Sequence, residues 1–285
     1  MRLRSRVGSS ARALSGAMLI FALAAPMARA QSLDTRLWGA NGPVRSIARS
    51  GQTLYLAGDF STVGPSTGGG VSIDRASAAL DARFPQVTGR VTAAVPDGRG
   101  GWFIGGHFTH VGGIPRTNLA HILANGQLAD WAPAVVGDDG YVRDPDFEAR
   151  PAGVNTLLLV RRTLFVGGAF HTIGGQARAD IAALDAASGA VLPWNPGADG
   201  EVRCLAQREN VLYLGGDFSH VAGEVRNALA AVDLRTGSLR SWNPDAVIES
   251  ILGPTPSRVR SLALSGRVVY VGGDFDSIGG QPRNS

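Results

Sequence analysis

Leu212-Tyr-Leu-Gly-Gly-Asp-Phe218 decides the fold, because the phrase recurs along the chain. It returns as Leu54-Tyr-Leu-Ala-Gly-Asp-Phe60, Trp102-Phe-Ile-Gly-Gly-His-Phe108, Leu164-Phe-Val-Gly-Gly-Ala-Phe170 and Val269-Tyr-Val-Gly-Gly-Asp-Phe275. The steps from Phe60 to Phe108, Phe170, Phe218 and Phe275 are 48, 62, 48 and 57 residues, so a unit of 48 is interrupted twice by insertions. A fixed period of this size marks a repeat architecture and outranks any local motif.

Working outward from the phrase, each unit reads as four short strands. The first runs from Val44 to Ala48, Val91 to Val95, Val154 to Leu158, Val202 to Ala206 and Val259 to Ala263, and the Gly-Gly phrase is the second. A third follows a longer loop, as in Ile181-Ala-Ala-Leu-Asp185 and Leu229-Ala-Ala-Val-Asp233, and a Gly turn leads to a fourth that ends in Phe84, Trp131, Trp194 or Trp242. Four-stranded sheets stacked round an axis bury both faces of strands this short. The expected fold is therefore an all-β propeller whose units span about 39–84, 85–131, 154–194, 195–242 and a cut-short 258–285. Leu33 to Trp38 reads as a fourth strand without its first three, the device that hides an edge when an N-terminus completes a last blade. Gly279 to Ser285 stops where a third strand should begin, so four full blades, half of a fifth and a spare outer strand are expected, in a piece of a longer chain.

The first 30 residues carry Arg2, Arg4, Arg6 and Arg12, an apolar run from Ala17 to Ala25, then Ala28-Arg29-Ala30. That order predicts a secretory signal cut after Ala30, leaving a propeller domain over 31–285. The run is too short to span a bilayer core of roughly 30 Å as a helix, so no membrane span is expected after cleavage. The formal charge of +4 disappears on splitting: 5 of 27 basic residues lie in the signal, leaving 22 against 23 acidic ones. A nucleic-acid partner is not indicated. Cys204 stands alone, so no intramolecular disulfide is expected despite an oxidising destination, and stability must come from the core.

The phrase at 212–218 with Ser219, Arg226-Asn227, Val232-Asp233, Thr236-Gly237 and Trp242-Asn-Pro244 resembles the bacterial delta-60 type β-propeller repeats, and similar repeats occur in fungal cell-surface polarity markers. The resemblance covers roughly 33–285 and implies a propeller at or beyond the cell surface, with no reaction or ligand attached. Unit one departs from it at Gly64 to Gly70, where the Arg-Asn pair is missing. Kelch repeats share the Gly-Gly but not the Asp-Phe that follows. Quinoprotein dehydrogenases carry a related Trp-docking motif, A-x-D-x-x-T-G-x-x-x-W. Here one extra residue separates Gly237 from Trp242 and Gly189 from Trp194. Strand alternation then predicts the Trp on the opposite side and no such docking girdle.

A repeat supplies its own control: residues that recur serve the architecture, and odd residues at equivalent places are candidates for function. Asp59, Asp217 and Asp274 recur, as do the loop residues Arg116, Arg178, Arg226 and Arg283. They are expected to satisfy loop backbone groups or one another. Arg45, Arg203 and Arg260 hold the second position of the innermost strand, where units two and three have Thr92 and Asn155. If that position faces the axis, the three Arg are ligand-binding candidates for an anion or acidic glycan. Pairing with nearby Asp is the competing expectation.

The insertion from Val135 to Gly153 holds Asp138, Asp139, Asp144, Asp146 and Glu148. These oxygens suit calcium, but a twelve-residue calcium loop's spacing is absent, and a solvated acidic loop beside Arg143 and Arg150 is the plainer expectation. Ser66 sits in Gly64-Pro-Ser-Thr-Gly68, a nucleophile-elbow text without its strand-to-helix context. The five His fall in different units and promise no zinc site. Cys204 aligns with Ser46 and Ser261 and reads as a small packed residue.

Both insertions, this one and Ala246 to Ser257, open on the face that carries the second-to-third loops, while the opposite face is expected to hold only tight turns. Insertions gathered on one rim mark a binding side. The expectation is an exported binding or scaffold module, without cofactor, that recognises a surface polymer, glycan or protein through this rim. The rivals are an exported quinoprotein-like dehydrogenase or lyase with an axial site, and a structural segment of a larger surface protein. No constellation here defines a catalytic centre.

Overall fold

The computed structural model describes residues 38–40, 44–50, 53–58, 63–65, 68–71, 76–78, 81, 83–137, 152–248 and 255–283. All described regular structure is β, in small antiparallel sheets and without a helix. The chain divides into two compact parts, residues 1–66 and 67–285. In the first, Trp38–Ala40 pairs with Val63–Pro65, and Val44–Ser50 pairs with Thr53–Gly58.

In the second part, units three and four are three-stranded sheets in the order inner, second, third: Gly153–Val160, Thr163–Ala169, Ile181–Asp185, then Val202–Arg208, Val211–Gly216, Leu229–Asp233. Unit two follows the same plan with Val87–Pro96, Trp102–Val111 and Leu119–Ile122. Unit five has Arg258–Ser265 paired with Val268–Asp274. This is the blade pattern of a β-propeller.

The Gly-Gly phrase now has a cause for each glycine. A Cβ added to Gly105, Gly167 or Gly215 would lie 2.4, 2.7 or 2.6 Å from the side chain of Val154, Val202 or Val259. Each Val opens the inner strand of the next unit, so the first glycine is the socket that seats the neighbour. A Cβ on Gly106, Gly168, Gly216 or Gly273 would stand 2.0 to 2.1 Å from a carbonyl oxygen of its own inner strand. The second glycine therefore gives room to the carbonyl of the residue before the valine of its own inner strand. The buried clusters straddle the unit boundaries: Phe165, Trp194 and Ile181 of unit three pack with Val202, Leu214 and Phe218 of unit four, and Phe103 and Leu119 of unit two with Val154 and Val166 of unit three.

Two expectations are corrected. The fourth strand shrinks to single bridges, Ile122 with Leu128, Leu184 with Val191 and Val232 with Leu239, after which the chain bends at Asp130, Pro193 and Ser241. Alternation beyond such a bend predicts nothing, and two Trp do reach the next unit. Trp131 lies over Gly189, where an added Cβ would be 2.9 Å from the ring, and Trp194 lies over Gly237 and donates Nε1–H to the Asp233 carbonyl at 3.1 Å. Each also packs on the aromatic of its own second strand, Phe103 or Phe165.

The loops after each Phe hold a second layer of structure. Thr172–Ile173 pairs with Gln176–Ala177, His220–Val221 with Glu224–Val225, and Ser277–Ile278 with Gln281–Pro282, and unit two makes the same hairpin at Val111 and Ile114. In units three to five the hairpin pairs back onto the segment that enters its unit, at Val135–Val136, Ala198 and Ala246–Val247. Both central turn residues have positive φ, the requirement of a type I′ turn. Gly112-Gly113, Gly174-Gly175 and Gly279-Gly280 meet it freely, whereas Ala222 of Ala222-Gly223 sits at φ 54°. An L-residue there costs about 1–2 kcal/mol, part of which a glycine returns as unfolded-chain entropy. Ala222→Gly is expected to stabilise the protein by about 0.5–1 kcal/mol, read from the midpoint of urea unfolding.

Candidate functional site

The inner strand of every unit slips register at one place: between Val44 and Ser46, Val91 and Ala93, Val154 and Thr156, Val202 and Cys204, and Val259 and Ser261. The extra residues are Arg45, Thr92, Asn155, Arg203 and Arg260. A β-bulge leaves its residue outside the ladder and re-aims the side chain. All five stand at the end of the inner strand nearest the long loops, and Arg203 and Arg260 reach the residue before their phrase Phe.

Arg203 and Arg260 belong to adjacent units. Arg203 forks onto Asp217 through Nε to Oδ1 at 2.7 Å and Nη2 to Oδ2 at 2.8 Å, and Nη2 also reaches Glu201 Oε2 at 2.6 Å. Arg260 donates Nη2–H to Asp274 Oδ2 at 2.6 Å, in a more exposed setting. Arg258 Nε stands 3.6 Å from Asp217 Oδ2, which links unit five to unit four. Asn155 of unit three donates to Glu201 Oε1, and Thr92 of unit two donates to the Val154 carbonyl. Thr92 and Asn155 thus bond the following unit, while Arg203 and Arg260 bond carboxylates of their own.

The hydrogen bonds with Asp217 hold the Arg203 pKa above its ordinary value against the opposing effect of burial. The hydrogen bond with Arg260 draws the Asp274 carboxyl below its usual range. These forks are spent on carboxylates, so the rim is a mixed donor and acceptor surface, and the pairing expectation describes Arg203 and Arg260. The side chain of Arg45 lies outside the described residues.

Unit three carries Gly153 and Ala169 where unit four has Glu201 and Asp217. The His107 ring of unit two lies in van der Waals contact with Gly153, where a Cβ would fall 2.1 Å from it. Burial, then the Arg90 guanidinium, lower the pKa of His107. Beside Ala169 is a recess of about 150 Å³ lined by Phe170, His171, Asp180, Asp199 and Glu201.

The recurring loop Arg serve the backbone. Arg116, Arg178 and Arg226 each donate to the preceding carbonyl and, through Nη2, to Ala129, Leu192 or Arg240 at 3.1, 2.7 or 3.2 Å. Each so ties the loop hairpin to the fourth segment of its unit. Asp217 and Asp274 take the inner-strand Arg203 and Arg260, and Asp59 lies outside the described residues. Asp138, Asp139, Asp144, Asp146 and Ser66 lie outside the described residues. Among the described residues no three His, Cys, Asp or Glu converge on a metal position. Cys204 is buried among apolar neighbours, and burial pushes its thiol up to about 12, which suits a packed residue.

A feature the repeat did not announce is a cleft of about 1140 Å³ between units three and four on the tight-turn face, lined by Arg161, Leu192, Trp194, Glu209 and Arg235 among others. Its signal is one residue. Ala183 stands where unit two has His121, which stacks at 4.2 Å on Phe103 and bonds Asp97 at 2.9 Å. The tight-turn face is therefore not featureless.

Asp199 supplies a pH handle at the loop-rich rim. Burial would raise its pKa, but bonds from the Ser219 hydroxyl, the His220 N–H, the His220 ring and the Ser219 N–H outweigh that and bring it from 3.8 down to about 2. A carboxyl depressed by folding stabilises fully above its unfolded pKa, and the stabilisation is lost as pH falls through the folded value. The melting temperature is expected to drop between pH 3.8 and 2, and Asp199→Asn to flatten that part of the profile.

Residues 96–128 match a family described as "Domain of unknown function (DUF5122) beta-propeller". No curated protein matches the sequence. Among solved structures, the computationally designed Ika8 protein is 14% identical over 84% of this chain and 58% of its own, with a TM-score of 0.42. The computationally designed Ika4 protein is 16% identical over 65% and 86%, with a TM-score of 0.38. BamB from Moraxella catarrhalis is 14% identical over 85% and 92%, with a TM-score of 0.23. At these values the likenesses carry no argument about activity. The repeat, the blade order and the matched segment define a β-propeller repeat protein.

Proposed function

We propose that this chain is an exported binding module whose loop-rich rim recognises a hydroxyl-rich surface polymer, a glycan foremost. The observation that supports this is the recurrence of one backbone device with a changing side chain. Every unit bulges at the same inner-strand position, yet the residue on the bulge is Arg, Thr, Asn, Arg and Arg in turn. Charge matching at Arg203 and Arg260 leaves neutral donors and acceptors, which suit hydroxyls better than a strongly charged ligand. Both insertions are expected on this face, and the longer one leads into unit three. Export rests on the Arg-rich, apolar, Ala-x-Ala N-terminus.

The test uses a glycan array and purified cell-surface polysaccharide as probes. The full chain is expected to bind saturably, and a variant carrying Asn155→Ala, Arg203→Ala and a shortened 138–149 loop to bind at least about tenfold more weakly. Arg235→Ala, on the opposite face, should leave binding unchanged. Equal binding by the rim variant and its parent removes the proposal.

A further inference from the structure

The cleft between units three and four on the tight-turn face is large enough for a whole small molecule. Its volume is about 1140 Å³, where ligand pockets run to roughly 300–1,000 Å³. Half-buried Val160, Leu192 and Leu234 give it apolar walls. The buried pair Phe165 and Trp194, edge to face at 5.1 Å, closes its deep end beside Ala183.

Unit two shows what chemistry this place takes. There the His121 ring stacks on Phe103 at 4.2 Å, lies 5.7 Å from the Trp131 ring, and is bonded to Asp97 at 2.9 Å. The strand register sets Ala183 opposite Phe165 as it sets His121 opposite Phe103. Counted from the pairs Pro96 with Trp102 and Leu159 with Leu164, Val160 takes the place of Asp97. The flat ring and the carboxylate that fill this corner of unit two are thus an alanine and a valine in unit three. A ring that the chain does not supply there can come from a ligand.

The charges around the cleft select the kind of ring. Arg162 is bonded to Asp185 at 2.6 Å, and Glu209 stands 3.9 Å from Arg208. Arg161 on the unit-three wall and Arg235 on the unit-four wall are exposed and make no ion pair among the described residues. A guanidinium offers a fork of donors to an anionic group and also stacks on aromatic faces.

We infer that this cleft binds a small aromatic anion, its ring system between Val160, Leu192 and Leu234 and its carboxylate or sulfonate between Arg161 and Arg235. The inference is independent of the loop-rich rim and its ligand.

The probes are anilinonaphthalene sulfonate and its uncharged counterpart phenylnaphthylamine, each titrated into the full chain and read by fluorescence. Saturable one-to-one binding is expected, tighter for the sulfonate. The double variant Arg161→Gln, Arg235→Gln changes two exposed side chains. It should weaken the sulfonate at least about tenfold and leave the uncharged probe within about twofold of the parent. Ala183→His supplies the ring that unit two carries and should weaken both probes. Absence of saturable sulfonate binding, or a sulfonate affinity unchanged in the double Arg variant, overturns the inference. So does a double Arg variant in which both probes weaken alike, or an Ala183→His variant that keeps the parent's urea midpoint and binds both probes as the parent does.

Discussion

The structure depends on a close approach made at three joints: a valine near the start of the inner strand of units three, four and five, seated against a glycine in the second strand of the unit before. At Gly105, Gly167 and Gly215 the space a Cβ would occupy is already held by Val154, Val202 and Val259. Because a blade of short strands cannot bury its own faces, the joint between blades is where the apolar core forms. Phe165, Val202 and Phe218 share one buried cluster for that reason. Interiors packed to this density feel single added methyl groups, which is why the phrase keeps two small residues in a row.

Seating the valine also positions the polar rim. The bulge falls on the residue directly after that valine in every unit, so the packing contact and the re-aimed side chain are neighbours in sequence. The second glycine gives room to the carbonyl of the residue before that valine. A repeating apolar joint thereby presents a series of positions that can vary without disturbing the core. Arg203, Asn155 and Thr92 use theirs to bond the next unit or their own.

Much of this was legible in the residues. The phrase, its period and the aromatic endings led to an all-β repeat with blade-like units, and the second inner-strand position stood out because Arg alternates there with Thr and Asn. The bulge itself was not legible, since register slips are properties of backbone pairing and leave no composition mark. The direction of Trp194 was misjudged because alternation was carried past the bend at Pro193. The loop hairpins had a signal in Gly112-Gly113, Gly174-Gly175 and Gly279-Gly280, a type I′ pair between apolar residues, disguised in unit four by Ala222. The cleft between units three and four turned on Ala183 standing for His121, a difference that acquires meaning only once His121 is seen between Phe103 and Trp131.

The valine-on-glycine joint is tested most directly by a double-mutant cycle between units three and four. Equilibrium unfolding of the parent, Gly167→Ala, Val202→Ala and the double variant measures whether the two positions share one space. The account predicts that Gly167→Ala alone destabilises by about 1–3 kcal/mol. It also predicts a double variant less destabilised than the sum of the singles, by at least about 0.5 kcal/mol. Strict additivity, or a harmless Gly167→Ala, would contradict it.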